Sequence, residues 1–265
     1  MYATQVKRDE MEQVELSVVV PAFNEGNSIE SALINMDDVF KREKRGYEIV
    51  VIDDGSRDNT LPKALLYAGK NGHVKVLSYD ENNGKGYAEK TGFMKSIGDV
   101  VVFADSDLEI DMGVVSKYIK ALNHGDIVIA SKWHSESHVE ISMLRRILSH
   151  CFNVLVKMLI GVNIRDTQAG LKVMRKSSFE KIIPKLTVKR FAFDVELLAV
   201  ASLHGLKIIE MPVRLRLNAL PKLKEILKMF FDLLGITYRA RVLRLYGKPV
   251  PHFNYEHVQR YPRFL

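Results

Sequence analysis

The sequence DVVVFADSDLEI, residues 99–110, joins a short apolar run to three closely spaced carboxylates. A run of this length bounded by polar residues is typical of a strand buried inside a parallel sheet. Asp105, Asp107 and Glu109 follow at every second position, so an extended chain would place all three on one side. Crowded carboxylates repel each other unless a cation offsets their charge. The stretch therefore predicts a buried strand with a charged site at its end.

Other runs of this kind occur along the chain, and helical spacing separates them. The strand-like runs are ELSVVVP (15–21), EIVVID (48–53), HVKVLSY (73–79) and DIVIAS (126–131). The helix-like segments cover about 27–44, 57–69, 84–97 and 112–123. Alternation of short β-branched runs with helices favours βαβ units. We therefore predict an α/β fold with a mostly parallel central sheet between layers of helices.

The pattern changes after residue 132. Residues 141–162 predict a long, very apolar helix interrupted by basic side chains, and residues 191–205 predict a helix that ends at Gly205. Residues 206–217 predict a single strand, and residues 220–245 predict a basic amphipathic helix. The second half of the chain is therefore expected to complete the sheet and to add a helical region.

Charge is unevenly distributed along the chain. The 265 residues have a net charge of +7, and residues 207–265 carry 12 Lys and Arg against 4 Asp and Glu. A basic C-terminal quarter favours contact with an anionic surface. We expect no nucleic-acid partner, because no nucleic-acid-binding motif accompanies the basic residues.

Cysteine usage and hydropathy limit the cellular setting. Cys151 is the single cysteine, which excludes an internal disulfide and fits a reducing compartment. Residues 1–14 are polar, predict a flexible leader and lack the apolar core of a signal peptide. No window reaches the roughly 18 apolar residues of a membrane-spanning helix. We therefore expect a soluble or peripheral protein.

Polar clusters follow three of the predicted strands, as PAFNE (21–25), DDGS (53–56) and DSDLE (105–109). The carboxyl ends of parallel strands meet at one edge of a sheet, where ligands bind. Oxygen ligands suit Mg²⁺ or Mn²⁺, which bridge to phosphate oxygens. NGKG (83–86) opens the next helix, and Lys85 would add positive charge beside a phosphate. The edge is therefore predicted to bind a divalent metal and a diphosphate.

Five stretches match a known family in their order along the chain. They are VVVPAFNEGNSIESAL (18–33), IVVIDDGSRDNT (49–60), NNGKGYAEKTGF (82–93), VVFADSDLE (101–109) and RDTQAGLKVMRK (165–176). Over about residues 15–215 the chain resembles family 2 inverting glycosyltransferases with the GT-A fold, in particular synthases of polyprenyl-phosphate sugars such as dolichyl-phosphate glucose or mannose.

The resemblance implies a GT-A-type α/β/α sandwich with a C-terminal amphipathic helical region. The glycosyltransferase domain would cover 15–217, with a nucleotide-sugar half at about 15–131 and an acceptor half at about 132–217. Residues 218–265 would form the basic amphipathic helix and a tail.

The resemblance also implies which residues bind the nucleotide sugar. Asp107 would hold the metal, Mg²⁺ or Mn²⁺, with Asp105 and Glu109 as further ligands. The residues implied around the nucleoside, its base and the diphosphate are Pro21, Phe23, Asn24, Glu25, Asp53, Asp54, Lys85, Asp105 and Ser106.

A second set of residues is implied at the acceptor phosphate. Lys132 stands where the family usually has arginine. Arg145 and Ser149 match the RxxxS element of the helix that meets the lipid phosphate. Asp166 and Gln168 match a DTQxG loop, which resembles the glucose-type branch more than the mannose-type branch.

The implied reaction is inverting transfer of a hexose from a nucleotide sugar to dolichyl or polyprenyl phosphate. Glucose from UDP-glucose is the first expectation, and mannose from GDP-mannose is the second. The phosphate acceptor is already anionic and needs no strong base, so Lys132 and Arg145 would hold it while the metal at Asp107 stabilises the leaving diphosphate. Asp194, in an FDVEL motif, is a further candidate catalytic residue, as a base or as an orienting group.

Two other functions stay open on the sequence. A family 2 transferase with a saccharide or protein-linked acceptor would need a carboxylate base, for which Asp194 and Glu196 are the candidates. A non-catalytic subunit that binds a nucleotide sugar is the other alternative. Such a subunit would not need three carboxylates in register, so the cluster at 105–109 favours an enzyme.

The apolar helices suggest where the protein acts. Arg145, Arg146 and Lys157 interrupt the apolar surface of 141–162, as in a helix that lies in a membrane interface. The predicted helix over 220–245 could contact a membrane surface, a second copy of the chain or a small membrane anchor subunit, and the sequence leaves these three alternatives open. Its apolar stripe consists of Leu220, Leu223, Ile226, Leu227, Phe230, Phe231, Leu234 and Tyr238. We expect a cytoplasmic protein, peripheral at the cytoplasmic face of a membrane.

Overall fold

The computed structural model describes residues 14–107, 109–217 and 223–247. Its centre is a seven-stranded sheet with the strand order β3-β2-β1-β4-β7-β5-β8, and β6 pairs with β9 in a second, two-stranded sheet. The strands are β1 Val14–Ala22, β2 Gly46–Asp53, β3 Val74–Ser78, β4 Val100–Phe103, β5 Ile127–Ser131, β6 His138–Ile141, β7 Lys172–Arg175, β8 Ile208–Pro212 and β9 Arg214–Leu217.

Within the described residues, eight α-helices connect and cover these strands. They are α1 Ile29–Arg42, α2 Thr60–Ala68, α3 Lys85–Lys95, α4 Val115–Ala121, α5 Met143–Ile160, α6 Lys176–Glu180, α7 Phe193–Leu203 and α8 Leu223–Thr237. A π-helical turn, Tyr238–Val242, continues α8, and a 3₁₀ turn follows at Leu245–Gly247. Further 3₁₀ turns lie at Met112–Val114, Leu122–His124 and Ile183–Lys185.

The sheet is covered on both faces, which explains why most residues of its strands are apolar. Alternate residues of β2 belong to separate clusters: Ile49 and Val51 join the main core, whereas Val50 and Ile52 pack with Ala88 and its neighbours. Successive strand residues point to opposite faces, so both faces must be apolar. The expected α/β fold with a mostly parallel sheet is confirmed.

One strand runs against the others. β7 lies antiparallel between β4 and β5, in a register that pairs Lys172 with Phe103 of β4 and with Ile129 of β5. This pairing places a lysine of the DTQAGLK stretch directly beside the end of the strand that leads to Asp105.

The prediction of a single strand over 206–217 is wrong. The chain turns at Val213, so β8 completes the main sheet while β9 pairs in parallel with β6, a strand that the sequence did not reveal. Backbone bonds then tie β9 to the segment after Asp107, from Arg216 N to the Glu109 carbonyl (3.2 Å) and from Asp111 N to the Arg214 carbonyl (3.4 Å). The small sheet therefore supports the chain beyond the carboxylate cluster.

Helix α8 packs onto the domain through residues outside the predicted apolar stripe. Leu233 and Ile236 are fully buried, whereas Leu223, Phe231 and most other members of the stripe are exposed. Leu220 of that stripe, the predicted leader up to residue 13 and the tail beyond residue 247 lie outside the described residues. The helix is therefore fixed to the domain on one side and presents apolar side chains on the other.

A close contact between α3 and β1 depends on Gly92, and this gives a first prediction. A Cβ atom at Gly92 would lie 2.2 Å from Cγ1 of Val19, a fully buried side chain. Alanine favours helix by about 1 kcal/mol over glycine. We still expect Gly92→Ala to lower the free energy of unfolding by roughly 1–3 kcal/mol, because the helix must move off the sheet.

Urea denaturation of both proteins would measure the difference. Gly72→Ala is the matched control, since a Cβ at Gly72 meets no atom within 4 Å. Its free energy of unfolding should stay within about 0.5 kcal/mol of the unsubstituted protein. Equal stability of the two variants would contradict the account of the contact.

Candidate active site

Two adjoining cavities lie at the carboxyl edge of the main sheet. The Phe23 cavity has a volume of about 420 Å³ and the Arg145 cavity has a volume of about 440 Å³. They share six lining residues, which are Lys85, Asp105, Asp107, Phe191, Glu225 and Met229. The carboxylates after β4 thus stand where the two cavities meet.

Most of the residues expected around a nucleotide line the Phe23 cavity. They are Pro21, Phe23, Glu25, Asp54, Lys85, Asp105 and Ser106, and the expected metal ligand Asp107 lines this cavity as well. The hydroxyl of Ser106 donates to the Pro21 carbonyl (3.2 Å), which fastens the end of β4 to the end of β1. Burial is the main cause of a raised pKa at Glu25, against a lowering hydrogen bond from Ser28.

Asn24 and Asp53 line neither cavity. The Asn24 side-chain oxygen accepts the N–H of Arg57 (2.9 Å), and its backbone N–H donates to Ser56 Oγ (2.9 Å). Asp53 is buried and accepts from the Ser78 hydroxyl (2.9 Å). Both residues therefore shape the loops behind the cavity wall.

Asp54 shapes the loop that opens α3. Its carboxylate accepts from the Asn82 side chain (2.9 Å) and from the backbone N–H groups of Asn83 and Gly84 (both 2.8 Å). Gly84 has a φ of +101°, which favours glycine, and the carboxylate holds the chain in this turn. Burial raises the pKa of Asp54, while these backbone bonds oppose the shift.

The expectation of an extended chain through 105–109 is wrong. β4 ends at Phe103 and the chain turns at 106–107, where Asp107 Oδ1 accepts the N–H of Glu109 (3.0 Å). Both carboxylates nevertheless line the Arg145 cavity. Burial and the charge of Asp105 raise the pKa of Asp107, and burial with the charge of Asp107 raises the pKa of Glu109 to about 7.

Asp105 is held from two sides. Lys85 Nζ lies 2.6 Å from its Oδ1. On the other side Gly170 comes so near that a Cβ there would lie 2.6 Å from Oδ2. The glycine of the DTQAG loop is thus needed for the carboxylate to occupy this position.

The residues present fit a divalent cation held mainly by Asp107. Within the described ranges no three His, Cys, Asp or Glu side chains converge as a metal-ligand set. Asp105 is paired with Lys85, whereas Asp107 and Glu109 repel each other in a partly buried setting that a hard cation would relieve. Mg²⁺ typically uses one or two carboxylates together with substrate phosphates. Asp107, with Glu109 beside it, suits that pattern.

The Arg145 cavity has a basic wall built from a loop and a helix start. Lys132 Nζ lies 2.7 Å from Asp166 Oδ1, and its backbone N–H donates to Asp166 Oδ2 (2.9 Å). Ser142 caps α5, so Arg145 lies in the first turn of the helix, and Ser149 follows one turn later. The N-terminus of a helix carries partial positive charge. Lys132, Arg145 and the N-terminus of α5 therefore favour the binding of an anion in the Arg145 cavity.

The loop that carries Asp166 and Gln168 is fixed by two polar side chains, the buried Asn153 and the half-buried Glu210. Asn153 of α5 donates to the Arg165 carbonyl and accepts from the Thr167 hydroxyl (2.9 Å). Glu210 of β8 accepts the N–H groups of Arg165 and Asp166 (both 3.0 Å). Gln168 lines the Arg145 cavity with Asp166.

The two carboxylates of the FDVEL motif have different surroundings. Asp194 lines the Arg145 cavity, and its Oδ1 lies 2.7 Å from Lys172 Nζ. Glu196 is fully buried and accepts from the Thr187 and Val188 N–H groups and from the Tyr246 hydroxyl. Glu196 therefore cannot reach an acceptor, and Asp194 is an ion-paired residue of the wall.

Sequence reasoning missed several lining residues, among them the charged or large side chains Arg190, Phe191, Glu225, Lys228, Met229 and Asp232. The last four belong to α8, which covers both cavities. Glu225, Lys228 and Asp232 have the spacing of one helical face, so a second face was visible in the sequence, but nothing there indicated that it turns toward the site.

The mostly parallel sheet, with paired cavities at its carboxyl edge, has the architecture of GT-A glycosyltransferases. The chain belongs to glycosyl transferase family 2, whose model matches residues 17–183. Glucosyl-3-phosphoglycerate synthase from Mycobacterium tuberculosis, crystallised with UDP, has this fold with a TM-score of 0.64 and 19% identity, over 94% of this chain and 88% of that chain. Its complex with Mn²⁺, UDP-glucose and phosphoglyceric acid aligns with a TM-score of 0.64 and 18% identity, over 89% and 81%.

Curated relatives are named dolichyl-phosphate beta-glucosyltransferase. The Drosophila melanogaster protein is 36% identical over 217 residues, or 76% of this chain and 67% of the relative. The Homo sapiens protein is 36% identical over 218 residues, or 75% and 66%. The chain thus spans about two thirds of the length of these relatives. Within the described residues, no helix has both the length and the apolar character needed to span a bilayer.

Proposed function

We propose that this protein transfers glucose from UDP-glucose to dolichyl phosphate with inversion, with the help of a divalent metal. The observation that carries the proposal is the meeting of two cavities at Asp105 and Asp107, one suited to a nucleotide and the other lined by Lys132 and Arg145. The names of the relatives support the choice of the sugar, the acceptor and the β configuration of the product. The β product requires inversion when the donor is the α-linked nucleotide sugar.

The residues of the chain bring the two reactants together. Lys132 and Arg145 bind the acceptor phosphate, and guanidinium suits bidentate contact with phosphate oxygens. A phosphate oxygen forms a bond to the anomeric carbon as the bond to the diphosphate breaks. The acceptor is already anionic, so no proton has to be removed. When bound, the cation supplies Lewis-acid stabilisation of the departing diphosphate.

A transfer assay with separate donors tests the proposal. The protein would be incubated with Mn²⁺ or Mg²⁺, a short dolichyl phosphate and UDP-glucose, UDP-N-acetylglucosamine or GDP-mannose. We expect a hexosyl-phospholipid by mass spectrometry from UDP-glucose, and at least about a hundredfold less from the other donors, since buried polar contacts discriminate strongly. Product from GDP-mannose alone would contradict the assignment of UDP-glucose as the donor. Transfer only to a saccharide would contradict the acceptor.

We further propose that the protein is peripheral at the cytoplasmic face of a membrane, through α5 and α8. These two helices contact each other and carry exposed apolar side chains. The exposed residues are Met143, Leu144, Ile147, Val154, Leu155 and Met158 on α5, and Leu223, Leu227, Phe230, Phe231 and Leu234 on α8. An apolar face with nearby lysine and arginine is typical of an interfacial helix.

Vesicle sedimentation tests this contact. Burying a phenylalanine contributes roughly 1.5–3 kcal/mol, so Phe231→Asp should weaken binding to phosphatidylserine-containing vesicles by about tenfold or more. Leu66→Asp is the matched control, because Leu66 is equally exposed but lies on α2. Equal binding by both variants would contradict the assignment of the face.

A further inference from the structure

Five side chains of alternating charge form a continuous row behind the two cavities. Asp105 Oδ1 lies 2.6 Å from Lys85 Nζ, and Lys85 Nζ lies 3.9 Å from Glu89 Oε1. The same Glu89 oxygen lies 3.3 Å from Lys172 Nζ, which lies 2.7 Å from Asp194 Oδ1. This row of charged side chains connects the turn after β4, helix α3, strand β7 and helix α7.

The middle of this row of charged side chains is closed to solvent. The side chain of Lys172 is 0% exposed, and its ammonium group donates to Glu89, Asp194 and the Ala169 carbonyl (3.0 Å). Glu89 is 1% exposed, and its second oxygen has no hydrogen-bond partner in the described part of the chain. Neither residue lines a cavity. These two side chains cannot touch a substrate.

The two ends of this row of charged side chains are exposed to the cavities. Asp105 and Lys85 line both cavities, and Asp194 lines the Arg145 cavity. Well-packed apolar residues often stabilise a protein as well as a buried ion pair does, so stability alone is a weak reason for two buried charges. Burial would lower the pKa of Lys172, but Asp194 and Glu89 outweigh that effect and raise it. The arrangement thus keeps every charge opposite a partner.

We propose that Glu89 and Lys172 are positioning residues for the transfer reaction. From inside the core, Glu89 fixes the ammonium group of Lys85 over Asp105, beside the diphosphate, and Lys172 fixes Asp194 in the wall of the acceptor side. The inference rests on the proposed function for the identity of the two substrates, and on the observed contacts for everything else.

Steady-state kinetics with UDP-glucose, dolichyl phosphate and Mn²⁺ test the proposal. Glu89→Gln keeps the shape and removes the charge, and Glu89→Asp keeps the charge but withdraws it from both lysines. We expect kcat to fall by about 10- to 100-fold in both variants with the KM for dolichyl phosphate within about threefold, because small misplacements at a reacting centre have effects of this size. A lower kcat in Glu89→Gln alone would indicate a general charge effect and would overturn the positioning role.

Glu48→Gln is the matched control for a buried glutamate. Glu48 is buried, accepts from Ser17 Oγ (2.6 Å) and Ile97 N–H (2.7 Å), and lies on β2 away from both cavities. Its substitution should lower the melting temperature and leave kcat unchanged. A fall in kcat equal to that of Glu89→Gln would mean that any buried charge in the sheet has this effect, and would overturn the proposal.

A binding cycle separates this inference from the proposed function. Affinity for UDP in the presence of Mn²⁺ would be measured by calorimetry for the unsubstituted protein, Lys85→Met, Glu89→Gln and the double variant. If Glu89 acts through Lys85, its substitution changes affinity in the unsubstituted background and not in the Lys85→Met background. The same change in both backgrounds, or none in either, overturns the positioning role. A protein that makes no glucosyl-phospholipid but shows the coupling contradicts only the proposed function.

Discussion

Replacement of Asp107 with alanine is expected to lower kcat for glucosyl transfer by about 10³-fold, the scale on which a single electrostatic contact to a developing charge acts. Asp107 lines both cavities, and burial together with Asp105 raises its pKa. It is the carboxylate best placed to hold the cation, because Asp105 is paired with Lys85. Its loss would leave the departing diphosphate without that stabilisation.

The fold should survive this substitution. The Asp107 carboxylate accepts the N–H of Glu109, two residues on (3.0 Å), which is a local contact within one turn. Asp111 is a matched control, since its carboxylate accepts the N–H of Gly113 in the same way (2.9 Å) and lines neither cavity. Asp111→Ala should retain full turnover with a similar change in melting temperature. Unchanged turnover in Asp107→Ala would contradict the assignment of the metal to this residue.

The metal dependence of UDP binding gives a second measurement on the same variant. In the unsubstituted protein, Mn²⁺ should strengthen UDP binding, because a cation held by Asp107 would add positive charge beside the diphosphate. In Asp107→Ala this dependence should largely disappear. If Asp107→Ala retained the full effect of Mn²⁺ on UDP binding, the metal would have to be held by other residues.

The sheet could be predicted because its strands carry apolar side chains on both faces, a pattern that depends only on local sequence. The edge where ligands bind followed from the direction of those strands, since the ends of β1, β2 and β4 must meet. Hence Phe23, Asp54 and Asp105 could be placed together before their contacts were known. The direction of β7 could not be predicted, because a four-residue strand carries no sign of whether it pairs parallel or antiparallel.

Long-range contacts account for most of what the sequence left out. The pairing of Lys85 with Asp105 depends on how α3 docks against β1 and β2, and the break at Val213 depends on the pairing of β9 with β6. Helix α8 was interpreted by its exposed apolar stripe, although its buried residues Leu233 and Ile236 decide how it sits. Its polar face could not be assigned to the cavities without knowing that packing.

Glu196→Gln is expected to have the largest effect on stability of the substitutions considered. The Glu196 carboxylate is 0% exposed and accepts from Thr187 N–H (2.7 Å), Val188 N–H (2.7 Å) and Tyr246 hydroxyl (2.6 Å), with Arg239 at 3.3 Å. An amide of the same shape keeps one acceptor oxygen and presents an NH₂ group to the remaining donors. Removing one partner of a buried ion pair typically costs about 3–5 kcal/mol.

Thermal denaturation would show this loss as a fall in melting temperature of about 10 °C, at roughly 2–4 °C per kcal/mol for a protein of this size. Glu140→Gln is the matched control, because Glu140 also pairs with an arginine, Arg216 (3.1 Å), but both side chains are more than 70% exposed. An exposed pair contributes at most about 1 kcal/mol, so the control should shift the melting temperature little. Loss of transfer in Glu196→Gln with an unchanged melting temperature would instead return Glu196 to the role of catalytic base. The contacts argue against that result, since they join α7 to the segment before Arg190 and to the turn after α8, and so tie the two elements that cover the nucleotide side of the site to the core.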